Sequence, residues 1–98
     1  PHAQTKIGIQ AQDLTPELAK LFGSQEQRGV LVAAVALASP AMRAGLERGD
    51  IITKANGKTL ASAGDLEPII QSVSPPAQLK LEVIKKGKPT TVVIDLPS

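Results

Sequence analysis

The chain has 98 residues, 42% of them hydrophobic and with thirteen Ala in the count, enough aliphatic side chain for one modest core but not two. With no Trp, no Tyr and a single Phe, it lacks a platform for stacking unpaired bases and an aromatic cage for a cation. Eleven Lys and Arg against nine Asp and Glu leave a net charge of +2, a small surplus rather than the basic patch of a nucleic-acid binder.

Thr5–Gln12 alternates apolar and polar residues, with Ile7, Ile9 and Ala11 on one side, which predicts a half-buried strand. Thr15-Pro16-Glu17 predicts a helix start, a hydroxyl N-cap followed by proline at the first helical position. Leu18, Leu21 and Phe22 give that helix an apolar face, and Gly23 ends it. Gly29–Ala36 is an uncharged run of β-branched and small residues, the pattern of a strand buried on both faces. Ser39-Pro40 repeats the capping signal for a short helix through Ala41–Ala44, stopped by Gly45.

Asp50–Ala55 predicts a third strand, Asn56-Gly57 a tight hairpin turn, and Lys58–Leu60 a brief edge segment. Ala63–Val73 predicts a helix with Leu66, Ile69, Ile70 and Val73 on one face, broken by Ser74-Pro75-Pro76. Pro68 bears on where that helix begins. A start at Ser62 puts Pro68 in the interior, at a cost of roughly 3 kcal/mol. With Asp65 as N-cap it falls in the first turn, where a missing N–H costs little. The later start, or a kink near Gly64, is therefore expected. Leu79–Lys85 and Thr90–Leu96 are alternating strands joined by Lys86-Gly87-Lys88-Pro89. Together these segments predict an α+β, mainly β chain: five to six short strands with two to three short helices in a partly open barrel.

Little in the chain supports catalysis. Without cysteine there is no disulfide, thiolate nucleophile or cysteine metal site. The one histidine, His2, precedes the first predicted strand and reads as a tail residue rather than the fixed base of a triad. No serine sits in a nucleophile-elbow context, and Asp13, Asp50, Asp65 and Asp95 lack metal-loop spacing. No metal or cofactor is implied. The longest apolar run, Val30–Ala38, falls short of the roughly 18–20 residues that span a bilayer. Pro1-His2 is an unusual natural start and no signal-peptide pattern follows, so the chain is expected to be a module of a longer protein.

Gly8 interrupts an otherwise good strand. Glycine there marks either a bulge or barrel corner, or a backbone laid open to a ligand. In the second reading Ile7-Gly8-Ile9 offers converging N–H groups to a carboxylate, with Lys6 adding favourable charge.

One series of motifs carries a family resemblance: Lys6-Ile7-Gly8-Ile9, Leu14-x-x-Glu17-Leu18-Ala19-Lys20, Gln27-Arg28-Gly29-x-x-Val32, then Ser39-x-Ala41-x-x-Ala44-Gly45-Leu46-x-x-Gly49-Asp50-Ile51-Ile52-Thr53 and Asn56-Gly57-Lys58. In this order they resemble a PDZ domain, and specifically the bacterial PDZ domains attached to HtrA-type serine proteases. The likeness runs from about Thr5 to Leu96. It implies a PDZ-like partly open antiparallel barrel in the bacterial, circularly permuted strand order. Gly45, Gly49, Asp50, Asn56 and Gly57 then have scaffold roles.

The resemblance also implies a site. Lys6–Ile9 corresponds to the family's carboxylate-binding loop, with backbone N–H groups from Ile7, Gly8 and Ile9. The strand from Ile9, with Gln10 and Ala11, would pair with an incoming extended peptide. Leu66, Ile69 and Ile70 belong to the opposite wall, and Leu66 and Ile70 are expected to line the pocket. The implied function is non-catalytic: binding of peptides or protein C-termini with a hydrophobic last residue, by β-augmentation. The implied setting is an HtrA-like serine protease, membrane-associated, in the periplasm or another extracytoplasmic compartment, whose protease domain is a partner. Nucleic acid and direct membrane insertion are not implied. The alternative is a structural or regulatory domain whose groove is filled by a partner or by the parent protein itself, controlling assembly. Lys85-Lys86-Gly87-Lys88 marks a contact in that alternative, and otherwise a solvated hairpin tip.

Overall fold

Hydroxyl caps and prolines start the first two helices where the sequence places them, in a computed structural model that describes residues 2–4, 7–26 and 28–96. Thr15 Oγ1 accepts from the Leu18 N–H at 3.2 Å, and Ser39 Oγ from the Met42 N–H at 3.1 Å. They open α1 (Pro16–Leu21) and α2 (Pro40–Ala44), and Gly45 closes α2 at a φ of +97°. The strands are β1 (His2–Gln4), β2 (Ile9–Asp13), β3 (Val30–Val35), β4 (Ile51–Ala55), β5 (Lys58–Thr59), β6 (Ala77–Lys85) and β7 (Lys88–Leu96). A 3-10 turn at Ala63–Asp65 leads into α3 (Leu66–Ser72).

Every pairing among the described residues is antiparallel. The main path has six strands in the order β1-β2-β3-β4-β6-β7, and the two-residue β5 pairs off β4. Asn56 and Gly57, at φ +50° and +82°, make the primed turn between β4 and β5. This is the open, mainly β arrangement with three short helices that the pattern predicts.

The main core gathers Val30, Val32, Ile52, Leu79, Leu81 and Ile94 with residues of β2 and α3. Leu31, Ile51 and Ile84 form a second, smaller cluster under Leu14, Leu18 and Phe22. Successive residues of β3 thus bury into different clusters, which is why that run carries no charge. Only its first half is buried on both faces; Ala33–Val35 are half-buried.

Three expectations need correction. Of the strand predicted over Thr5–Gln12, Thr5 and Lys6 lie outside the described residues, and β2 begins only at Ile9, because Ile7 and Gly8 form a turn with Gly8 at φ +93°. His2 is not part of an unstructured tail, since its backbone pairs with β2 as the start of β1. Leu21 is 73% exposed, because α1 meets the second cluster along the Leu18–Phe22 line and buries Ala19 instead. For Pro68 the α-helix begins late, at Leu66, but Asp65 does not cap it: Ser62 and Asp65 form a capping box that opens the 3-10 turn before it. As the third residue of α3, Pro68 lies in the first turn, and the 3-10 turn around Gly64 takes up the change of direction.

A partly buried ion pair ties the end of β6 to the start of β4. Asp50 is 5% exposed, and its Oδ2 accepts from Lys85 Nζ at 2.5 Å and from the Glu47 N–H at 2.9 Å. Partial burial pushes the Lys85 pKa down, but hydrogen bonds and charge from Asp50 and Glu47 outweigh it and hold the ammonium above its ordinary value of 10.5. A raised native pKa means the folded state holds this proton more tightly than the unfolded chain. The contribution is complete below 10.5 and is lost as pH rises through the raised native value. Lys85→Met should therefore flatten the alkaline fall in stability, measured by urea unfolding at neutral pH and above the lysine pKa. Asp50→Ala, which strands the Glu47 N–H and leaves Lys85 only Glu47 as a partner, should cost roughly 1–3 kcal/mol at neutral pH.

Candidate functional site

The turn at Ile7-Gly8 is built by two hydrogen bonds that pull its carbonyls into the fold. The Ile7 C=O accepts from the Ala41 N–H at 3.0 Å, and the Gly8 C=O from the Ala36 N–H at 2.7 Å. Both peptide bonds are trans, so the N–H that follows each carbonyl points the opposite way. The Gly8 and Ile9 N–H groups are therefore aimed away from α2 and the end of β3. The N–H groups of Ile7 and Gly8 have no acceptor among the described residues.

This turn requires glycine twice over. Its φ of +93° is a conformation that L side chains rarely adopt. A methyl carbon on Gly8 would also overlap Ser39 Cβ and lie 2.7 Å from Ser39 Oγ. Ser39 is itself 7% exposed, and its hydroxyl is committed to capping α2. The loop backbone thus lies directly on the helix cap.

Beyond the turn, β2 and α3 face each other across one apolar cluster. Ile7, Ile9 and Ala11 contribute from the strand side, and Leu66, Ile69 and Ile70 from the helix side. All six are buried, Ile69 being the most exposed at 8%. Gln10 and Gln12 alternate out of the core and are half-buried. At the far end, Asp13 Oδ1 accepts from the Ala63 N–H at 2.7 Å, pinning β2 to the turn before α3. Asp65 Oδ2 accepts from the N–H groups of Ala61 and Ser62 at 2.9 and 3.2 Å, and so fixes that turn.

The structure therefore brings together Ile7, Gly8, Ile9, Gln10, Ala11, Leu66, Ile69 and Ile70, while Lys6 lies outside the described residues. Sequence reasoning missed two residues that shape the site. Ser39 was legible as a cap, but its contact with Gly8 joins positions far apart in sequence. Asp13 reads as an isolated carboxylate, and its bond to Ala63 has no local signal. A surface hollow of 820 Å3, lined by residues that include Thr53, Lys54, Glu82 and Thr91, shares no residue with this groove. The Lys86-Gly87-Lys88 tip is exposed, and Lys85 beside it is engaged with Asp50 and Glu47.

Known proteins match both sequence and fold. The family model for the PDZ domain matches residues 5–96. The periplasmic pH-dependent serine endoprotease DegQ of Escherichia coli (strain K12) is 37% identical over 90 residues, 92% of this chain and 20% of that protein. A probable periplasmic serine endoprotease DegP-like of Marinomonas sp. (strain MWYL1) is 36% identical over 90 residues, 92% of this chain and 19% of that protein. The chain thus spans a fifth of the length of these relatives. Among solved structures, the HtrA3 PDZ domain bound to a phage-derived ligand, FGRWV, superposes with a TM-score of 0.77 at 32% identity. That match covers 97% of this chain and 84% of the other. The HtrA-type protease AlgW with a decapeptide gives 0.81 at 26% identity, covering 93% of this chain and 28% of that one.

Two substitutions separate the two demands on Gly8. Gly45, at φ +97°, has open space around the position a Cβ would take, so Gly45→Ala should carry the backbone penalty alone, about 1–3 kcal/mol. Gly8→Ala adds the collision with Ser39 and should lower the unfolding midpoint distinctly further. Equal midpoints in thermal denaturation would show that the Gly8–Ser39 contact adds nothing to the backbone penalty.

Proposed function

The chain belongs to the PDZ domain family, and on that premise we propose that it is a peptide-binding module that takes hydrophobic C-termini by β-augmentation. The observation that carries this reading is the direction of the Ile7 and Gly8 carbonyls, which are consumed by Ala41 and Ala36. The Gly8 N–H, turned outward, offers a donor to a terminal carboxylate. A bound peptide would lie antiparallel to β2, exchanging backbone hydrogen bonds along Ile9, Gln10 and Ala11. Its last side chain would enter an aliphatic pocket lined by Leu66 and Ile70, with Ile69 beside them. Such a pocket accepts Val, Leu, Ile or Phe and rejects a charged terminal side chain, whose desolvation nothing there repays.

The HtrA3 PDZ domain supports this reading, since its ligand FGRWV ends in valine. The relatives supply the wider setting. The module serves substrate recognition or regulation in an HtrA-like serine protease of the periplasm, and that protease domain carries the catalysis. Its partners are peptides and its own protease domain. The reading requires no cofactor, nucleic acid or membrane insertion, and no helix among the described residues is long and apolar enough to cross a membrane.

The chain contains no Trp, so the tryptophan of FGRWV is a clean fluorescent reporter. The free-acid peptide should bind with a Kd of roughly micromolar order, because a short extended chain must be ordered on binding. Charge-assisted hydrogen bonds contribute about 1.5–3 kcal/mol, so C-terminal amidation should weaken binding about tenfold or more. Equal affinity of acid and amide would refute the carboxylate cradle.

A further inference from the structure

Resting on that reading, we propose that the chain carries its own competitor: β1 is an intramolecular pseudoligand that occupies the groove until a true C-terminus displaces it. β1 pairs with the outer edge of β2, on the side away from β3, in the register His2↔Gln12, Ala3↔Ala11 and Gln4↔Gln10. This is the edge that β-augmentation needs. The direction is also that of a ligand, because β1 runs antiparallel to β2 and toward the Gly8 turn, as a peptide ending there must. The 3-10 turn at Ala63–Asp65 packs against both β1 and β2, which places the strand at the groove's helical wall.

The imitation is incomplete at one point. After Gln4 the chain continues through residues 5–8 into the turn itself, so β1 brings no carboxylate. The Gly8 N–H correspondingly has no acceptor among the described residues. An incoming C-terminus offers the backbone pairing that β1 already makes and adds the charged group that β1 lacks. An internal segment offers only the pairing. The short tether holds β1 at an effective concentration of about millimolar order, enough to compete with weak ligands. Self-occupancy therefore discriminates in favour of free C-termini and raises the threshold for everything else.

Apparent affinity falls by the fraction of molecules whose groove is open. A docked fraction of about 0.7–0.9 weakens binding about three- to tenfold. The test compares the wild-type chain with Ala3→Pro/Gln4→Pro and with a variant lacking residues 1–4. Successive strand N–H groups point to opposite edges, so the tandem substitution removes one donor aimed at β2 whichever residue supplies it. Free-acid FGRWV should bind both variants about three- to tenfold more tightly than wild type. Amide hydrogen exchange without peptide should show the outward amides of β2 protected in wild type and unprotected in both variants. Equal affinities and equal exchange would overturn the proposal while leaving the peptide-binding reading intact. If no protein binds the peptide although exchange differs, β1 docks but the peptide reading of this edge fails, and regulation by β1 fails with it.

Discussion

The groove depends on the contact between the Gly8 backbone and Ser39. No other residue type can hold that φ so close to the cap of α2. The contact lets the Gly8 carbonyl reach the Ala36 N–H and the Ile7 carbonyl reach the Ala41 N–H. Four chain segments meet there: the turn, the start of β2, the exit from β3 and the first turn of α2. The outward direction of the N–H groups follows from peptide planarity once those two carbonyls are committed. The other end of β2 is held by the bond from the Ala63 N–H to Asp13. Strand and helical wall thus keep their relation through one anchor at each end of β2.

Such a design ties apolar recognition to stability. The side chains assigned to the proposed groove, Ile7, Ile9, Ala11, Leu66 and Ile70, are also members of the main core. Replacing any of them to probe binding removes packing as well, and large-to-small core changes cost roughly 2–5 kcal/mol. In the proposed reading backbone groups carry the specific polar contacts, and their positions can be altered only through neighbours such as Ser39. The absence of Trp, Tyr and Cys in the chain then has a plain meaning. A carboxylate needs N–H groups, and an aliphatic terminus needs Ile and Leu.

Much of this was legible in the residues because the decisive signals are local. Thr15-Pro16, Ser39-Pro40, Gly45 and Asn56-Gly57 each determine a turn or helix end within a few positions, and each sits where expected. Alternation in β6 and β7 and the apolar face of α3 located the core for the same reason. What was not legible depends on distant partners. The strand pattern runs back through Ile7 without a break, since Ile7 is as buried as Ile9; only the hydrogen bonds to Ala36 and Ala41 turn the chain at Gly8. Leu21 fits an amphipathic face, yet a helix of six residues presents too little surface to bury it. His2–Gln4 forms a strand because β2 offers an edge, not because of its own three residues.

Two strand edges, that of β7 and the side of β2 away from β3, show why that offer matters. An unpaired strand edge invites association with other chains, and natural sheets usually blunt it with charge or proline. The β7 edge does so with Lys88 and Pro89 at its start, and proline is tolerated there because an edge strand leaves one row of N–H groups unused. The β2 edge has neither device. Its residues Ile9, Gln10, Ala11 and Gln12 are uncharged, and Asp13 is turned to Ala63. A strand so open to pairing is a liability unless something covers it, and pairing with β1 covers it here. The feature that would make β2 receptive to a peptide, in the proposed reading, is therefore the one that draws residues 2–4 onto it. Receptivity and self-occlusion are two consequences of a single unguarded edge.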